Sequence, residues 1–313
     1  MTAGASAAAR RRRLRDRWRY WVRDPLLFAI DFPLHHAFRL LPIAWASAIG
    51  GRLGVLNGRH RFQPQRDRAR QGYRRLKDPA MCAEEAEAAI DRLFDSVGRV
   101  MAEFSALDRV WKAGRIAVEG AEHLAAAREA GRPVIVMGVH VGNWEVIGPT
   151  LAGLGLRFNF IYQPPRSRFE HRIAVAARRR YGAVLLRPGV AAARRALRGL
   201  AEERGVLLIF ADDERKGYVH APLFGRAPAQ RANLPTIVRL AWASGAAVIP
   251  AFAERQPGPH FRVVFLPPVE LAPRDPDEGA ALLDNVHRLD RAITPPVLAL
   301  LDQWYMLLDF HRG

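Results

Sequence analysis

Residues 133–149 read PVIVMGVHVGNWEVIGP. The unbroken apolar run from Pro133 to Val139 reads as a strand buried on both faces, because a half-solvated strand would alternate with polar residues. His140 follows it, then a glycine-flanked turn, then a helix beginning near Asn143 to Val146. A histidine released at the carboxyl end of such a strand stands where α/β folds gather their chemistry. Ten histidines and 31 acidic residues in 313 positions give about one chance His-x4-acid match, so the spacing of His140 and Glu145 carries no weight by itself. On one continuous helix the two side chains would diverge by about 140°. With His140 in the turn and Glu145 in the first helical turn they can meet, and a carboxylate can then fix the imidazole tautomer for proton abstraction from a hydroxyl. A hydrogen-bonded structural histidine explains the same residues equally well. The chain has no G-x-S-x-G elbow and no cysteine near the stretch, so no rival nucleophile is apparent.

Working outward, IAVEG, FNFIYQ, AVLLRP, GVLLIFAD, AAVIPAFAE and FRVVFLP repeat the short apolar pattern, with EHLAAAREAG, VAAARRALRGLAEERG and LPTIVRLAWASG as helical stretches between them. This alternation predicts an α/β sheet covered on both faces. Upstream, residues 84–112 place Ile90, Leu93, Phe94, Val97, Val100, Met101 and Phe104 at helical spacing after an acidic first turn, which predicts one long packed helix. No linker divides the chain, so the expected organisation is an N-terminal segment, 1–60, and one α/β domain, 61–313.

Forty-eight Lys plus Arg stand against 31 Asp plus Glu, a net charge of +17, and only Lys77, Lys112 and Lys216 are lysines. Such an excess points to an anionic partner, and arginine suits phosphate and carboxylate, although an arginine-favouring genome would leave the same mark. No nucleic-acid reader motif accompanies the charge. The single cysteine, Cys82, excludes an internal disulfide and a multi-thiolate metal site within one chain, and fits a reducing compartment. Within 1–60, ARRRRLRDRWRYWVRD precedes PLLFAIDFPLHHAFRLLPIAWASAIGG. Asp24, Asp31 and Arg39 interrupt the apolar run and Pro25, Pro33 and Pro42 are expected to break it, leaving pieces too short to span a bilayer. No export signal is read there. A basic, aromatic, amphipathic segment of this kind lies in the head-group layer of a membrane, unless it is an ordinary core helix behind a solvated tail.

GVHVGNWE, with YQPPRS, the strand ending in Asp212, PLFGR, RLAWASGAAVIPAF and the terminal QWYMLLDFHRG, resembles the late acyltransferases of bacterial lipid A biosynthesis, the lauroyl and myristoyl transferases of the lysophospholipid acyltransferase superfamily. The likeness runs from about Leu40 to the C-terminus. It implies a glycerolipid acyltransferase-like fold, a single mixed sheet flanked by helices. It also implies an enzyme at the cytoplasmic face of the inner membrane, moving an acyl chain from an acyl carrier protein or coenzyme A thioester to a hydroxyl of an anionic glycolipid, with no metal or bound cofactor. Carried over, His140 is the general base and Glu145 orients it and offsets the imidazolium charge, while backbone amides or a nearby arginine meet the oxyanion. Asn143, Arg166, Arg187 and Asp212 are candidate substrate contacts, the two arginines for phosphate; the ordinary readings are solvated surface arginines, and Asp212 could orient a site arginine or, equally, cap the next turn. Glu103 matches an acidic family position, but a helix-surface pair with Arg99 or Arg109 would also explain it. Trp144 is read as packing beside the acyl groove. Gln163 stands where the family commonly has arginine, the loop DDERKGYVHAPLFG is short, and QRAN replaces a threonine-containing stretch. These departures leave room for another acceptor lipid: a phosphatidylinositol mannoside, a lysophospholipid or an aminolipid.

Overall fold

The computed structural model describes residues 3–165, 167–202, 204–215, 217–275 and 278–310. Nine strands occur among them: β1 Ile116–Glu119, β2 Val134–Gly142, β3 Phe158–Ile161, β4 Val184–Leu186, β5 Val206–Phe210, β6 Glu214–Arg215, β7 Tyr218–Val219, β8 Ala247–Gln256 and β9 His260–Phe265. Seven form one sheet in the order β1-β9-β8-β2-β5-β3-β4. All its pairings are parallel except the β8–β9 hairpin, so the sheet is mixed, as expected. The remaining two, β6 and β7, pair antiparallel in a small ribbon just after Asp212, too short to leave a periodic signal in the sequence.

The continuous apolar run of β2 has the cause inferred from it. Ile135, Met137, Val139 and Val141 point into one core and Val134 and Val136 into a second on the other face of the sheet. Helices cover both faces. In chain order they are α1 Ala3–Trp18, α2 Asp24–Leu40, α3 Ile43–His60, α4 Gln63–Lys77, α5 Ala83–Glu103, α6 Leu107–Lys112, α7 Ala121–Glu129, α8 Ile147–Gly153, α9 Arg168–Arg179, α10 Val190–Ala201, α11 Asn233–Ser244 and α12 Glu278–Ala299.

Two sequence expectations need correction here. The long helix of 84–112 is broken into α5, a 3-10 turn at Phe104–Ala106 and α6, since Ala106 leaves the helical region with φ −125° and ψ 15°, and in the turn Ser105 donates its hydroxyl to the Ala102 carbonyl at 2.9 Å. Conversely, Pro25 and Pro33 do not break the N-terminal run. Pro25 follows directly on a π-helical turn, where the carbonyl left without its N–H lies in the exposed Tyr20–Trp21 stretch, and Pro33 lies in the helix with the carbonyl it leaves unbonded on the exposed Ala29. Helix therefore continues from α1 through a π-helical turn, Arg19–Arg23, into α2, and only Pro42 ends an element, as the N-cap of α3. None of the described helices is long and apolar enough to cross a membrane.

The N-terminal helices are tied down at specific points. Phe28 of α2 stacks on Phe169 of α9 at 4.4 Å, and Arg168 lies 3.9 Å over the Tyr20 ring. Arg39, at the end of α2, pairs with Asp108 at 3.1 Å and donates to the Ser105 carbonyl at 2.9 Å. α3 crosses α5 at backbone contact through Gly50, Gly54 and Gly98. A Cβ added at Gly98 would fall inside the Gly50 carbonyl oxygen and against the Gly54 Cα, which are backbone atoms that cannot turn aside. Replacing Gly98 by Ala would raise helix propensity by about 1 kcal/mol, and the clash outweighs it. Gly98→Val is expected to lower unfolding free energy by about 1–3 kcal/mol in urea titration; unchanged stability would show that the helices can separate freely.

Candidate active site

β2 runs past the end of its regular pairing with β8, and the register shifts between Gly138 and Gly142. Gly142 takes a φ of +57°, and a Cβ there would overlap the Ala253 carbonyl, so only glycine permits the exit from the strand. Asn143 then caps a 3-10 turn, Trp144–Val146, which leads into α8. His140 is accordingly still in the strand when Glu145 is in the first helical turn.

The two side chains are engaged by different partners. His140 Nδ1 lies 2.8 Å from Asp212 Oδ1, and the His140 backbone N–H donates to Asp212 Oδ2 at 2.8 Å. Trp304 Nε1–H donates to the same Oδ2 at 2.9 Å, and Asp212 is wholly buried. With Nδ1–H given to the carboxylate, Nε2 keeps the lone pair, and it has no hydrogen-bond partner among the described residues. The ring stacks on Phe210 at 4.3 Å and meets Trp144 edge-on at 5.2 Å, with part of its surface open. Glu145 is instead held by Arg178 of α9, Nη2 to Oε1 at 2.6 Å and Nε to Oε2 at 3.1 Å, both side chains being nearly buried. Burial works against the Arg178 cation, but the Glu145 charge and hydrogen bonds more than offset it, and its pKa stands above the ordinary arginine value. The Arg178 guanidinium also lies 5.2 Å from the Phe160 ring and 5.0 Å from the Tyr162 ring. Burial first, then the Glu145 charge, pushes the Tyr181 phenol up, so it stays protonated.

The expected orienter of His140 thus differs from the observed one. A turn built on a positive-φ glycine aims Glu145 at α9, while the end of β5, the strand beside β2, brings Asp212 directly to the imidazole. Asp212 bonds His140 and Trp304 and neither an arginine nor the turn that follows it, among the described residues; the neighbouring Asp213 accepts from the N–H of Asn233, the first residue of α11, at 3.1 Å. Asn143, expected to touch substrate, is wholly buried, giving Nδ2 to Glu103 Oε2 at 2.8 Å and taking the Glu145 N–H at 3.2 Å. Glu103 pairs with neither Arg99 nor Arg109. Arg255 of β8 binds both its oxygens, at 2.8 and 2.7 Å. Arg187 is exposed, its Nη2 2.6 Å from His171 Nε2, and the His171 Nδ1 meets the Tyr162 hydroxyl at 3.0 Å. Arg166 lies outside the described residues. Trp144 is packed between His140 and Tyr305, whose ring is 5.0 Å away. Sequence reasoning missed Arg178, Arg255 and Trp304, since Arg178 is one of three arginines in AARRRY and nothing local marks which faces inward.

A mostly apolar groove of about 740 Å³ adjoins this site. Phe38 of α2, Leu53 of α3, Met101 of α5 and Ile173 of α9 line it, and Glu145, Arg178 and Tyr305 also stand in its wall. His35 of α2 lines it too, and burial, helped by His36, Arg180 and Arg39, lowers its pKa from 6.5 to about 4.

A family model described as bacterial lipid A biosynthesis acyltransferase matches residues 19–310. Lipid A biosynthesis palmitoleoyltransferase of Escherichia coli (strain K12) is 27% identical over 256 residues, 79% of this chain and 80% of that protein. The Lipid A biosynthesis acyltransferase of Shigella flexneri gives the same figures. That of Haemophilus influenzae is 24% identical over 287 residues, 89% of this chain and 84% of the relative.

Two outcomes follow from the geometry. Arg178→Met leaves the Glu145 carboxylate buried without its cation and is expected to cost about 3–5 kcal/mol of stability, most of it recovered on adding Glu145→Gln; additive losses in the double-mutant cycle would refute the coupling. For His35, the folded pKa lies below the unfolded one, so between pH 6.5 and about 4 the unfolded chain binds the extra proton and stability falls as pH drops. Urea midpoints taken from about pH 7 to about pH 5 should therefore fall more steeply in the wild type than in His35→Gln.

Proposed function

The chain belongs to the bacterial lipid A biosynthesis acyltransferase family and is an O-acyltransferase, and from that premise we propose that it carries a fatty acyl chain from an acyl carrier protein or coenzyme A thioester to a hydroxyl of a lipid A precursor. The observation that carries this reading is an imidazole whose Nδ1 is fixed on a buried carboxylate while Nε2 is left free, with the ring 6.3 Å from that of Tyr305, which lines an apolar groove. His140 Nε2 takes the proton of the acceptor hydroxyl as its oxygen attacks the thioester carbonyl. The oxyanion collapses, the C–S bond breaks, and the thiolate receives that proton from the imidazolium. Asp212 keeps the ring in one tautomer and offsets its transient charge. Glu145 fixes Arg178, whose cation stabilises the oxyanion. The groove takes the acyl chain.

The same reading puts the protein on the cytoplasmic face of the inner membrane, with none of the described helices spanning it. Leu26 and Ile30 on α2 are 63% and 64% exposed, and Trp45 and Leu56 on α3 are 67% and 54% exposed. The exposed Arg13, Arg15, Arg17 and Arg23, with the exposed Trp18, Tyr20 and Trp21, precede these apolar stripes in the chain, which suits anionic head groups above acyl chains.

In assays of the purified full chain with a lipid A precursor and either thioester donor, His140→Ala and Glu145→Ala are expected to abolish transfer. Asp212→Asn should lower kcat by roughly 10²–10⁴-fold with folding retained. Full activity of folded His140→Ala would sink the mechanism. Lipid mass spectrometry of cells with and without the gene identifies the acceptor through its missing chain, and loss of a chain from a lipid other than lipid A would overturn the substrate assignment.

A further inference from the structure

Beneath the turn that carries Glu145 lies a buried polar cluster with no share in the steps above. Glu103, the last residue of α5, is wholly excluded from solvent, and Arg255 clamps it from β8 with Nη1 on Oε1 at 2.8 Å and Nη2 on Oε2 at 2.7 Å. Gln303 pins the Arg255 backbone, accepting its N–H at 2.9 Å and donating to its carbonyl at 3.4 Å. Asn143 spans from this ion pair to the reacting turn, with Nδ2 on Glu103 Oε2 at 2.8 Å and Oδ1 on the Glu145 N–H at 3.2 Å.

A buried ion pair adds little stability over well-packed apolar residues of the same volume. What it does supply is direction. A carboxylate only accepts, so the Asn143 NH2 must face Glu103, and the amide oxygen is then left for the Glu145 N–H. Turned over, the amide would set oxygen against carboxylate and NH2 against N–H. Both orientations are otherwise equal in shape, so the charge of Glu103 decides between them.

We propose that Glu103, clamped by Arg255, is a positioning residue for acyl transfer: it fixes the Asn143 amide, and through it the single setting of the turn from which Glu145 holds Arg178. The inference rests on the acyl-transfer reading given above. It accounts for a charged residue at a helix end that faces no water, and for the amide's burial directly after the strand that ends at Gly142.

The test is steady-state kinetics on the full chain, with thermal unfolding measured beside it. Asn143→Asp keeps an acceptor for the Glu145 N–H but sets a second carboxylate against Glu103. It is expected to lower kcat on the order of 10- to 100-fold, with the thioester KM within about twofold of wild type. The double variant Glu103→Gln with Asn143→Asp removes the opposed carboxylates and lets the introduced amide donate to the introduced carboxylate, at the expense of the bond from Arg255 Nη2, which shares that Glu103 oxygen. It should recover part of the lost kcat. Should Asn143→Asp not fold, Asn143→Ser, which retains an acceptor at that position but is too short to reach Glu103, carries the same expectation. A wild-type rate in the single variant, or a double variant that regains thermal stability without kcat, overturns the proposal. A wild-type chain with no transfer at all sinks the acyl-transfer reading and this inference with it, whereas an active wild type beside an unaffected Asn143→Asp sinks this inference alone.

Discussion

Burying a carboxylate is costly unless hydrogen bonds replace its water, and the centre of this protein is organised around one such group. Asp212 receives the His140 main chain, the His140 ring and the Trp304 indole, three donors from two distant segments. Withdrawing the imidazole leaves Oδ1 unsatisfied in the core, and withdrawing either of the others leaves Oδ2 with one donor in place of two. The requirement binds the end of β5 to the end of β2 and draws in the C-terminal segment, where Val141 and Trp304 bridge antiparallel. The same bonds set the imidazole with its outer nitrogen free. Closure of the fold and the protonation pattern of the histidine are therefore one event.

Two further carboxylates surround the same turn, and each has its own cation. Glu145 is matched by Arg178 from α9 and Glu103 by Arg255 from β8, so the charges are balanced pair by pair within an otherwise apolar interior. Low exposure makes these pairings strongly directional, since a swapped partner would leave an unpaired charge out of water. Of the three acids, only Asp212 bonds the imidazole, while Glu145 and Glu103 are each taken by an arginine. Geometry and local neutralisation assign them separate tasks.

On the other side of the site the constraint is steric. Gly50, Gly54 and Gly98 bring α3 against α5, and α2 joins the wall through Phe38 and the Phe28–Phe169 stack. The groove beside Glu145 is thus built in part from the N-terminal helices that also expose apolar stripes outward. The segment read as a membrane-surface appendage is, in the fold, also a wall of the cavity next to the turn that carries Glu145.

By itself the sequence determined the α/β class, all seven strands of the main sheet and the position of His140 at a strand end, because these follow from local periodicity and from glycines that end elements. Its likeness to lipid A acyltransferases was carried by contiguous motifs for the same reason. It could not determine the partners of the charged groups. His140 and Asp212 are 72 positions apart, Glu103 and Arg255 are 152 apart, and in a chain with 48 basic residues no local signal marks Arg178 as the one facing Glu145. Only the sheet order, which sets β5 beside β2, and the left-handed turn at Gly142, which swings Glu145 towards α9, decided which acid serves the imidazole. Periodicity is written along the chain, whereas charge pairing in a buried site depends on which strands become neighbours.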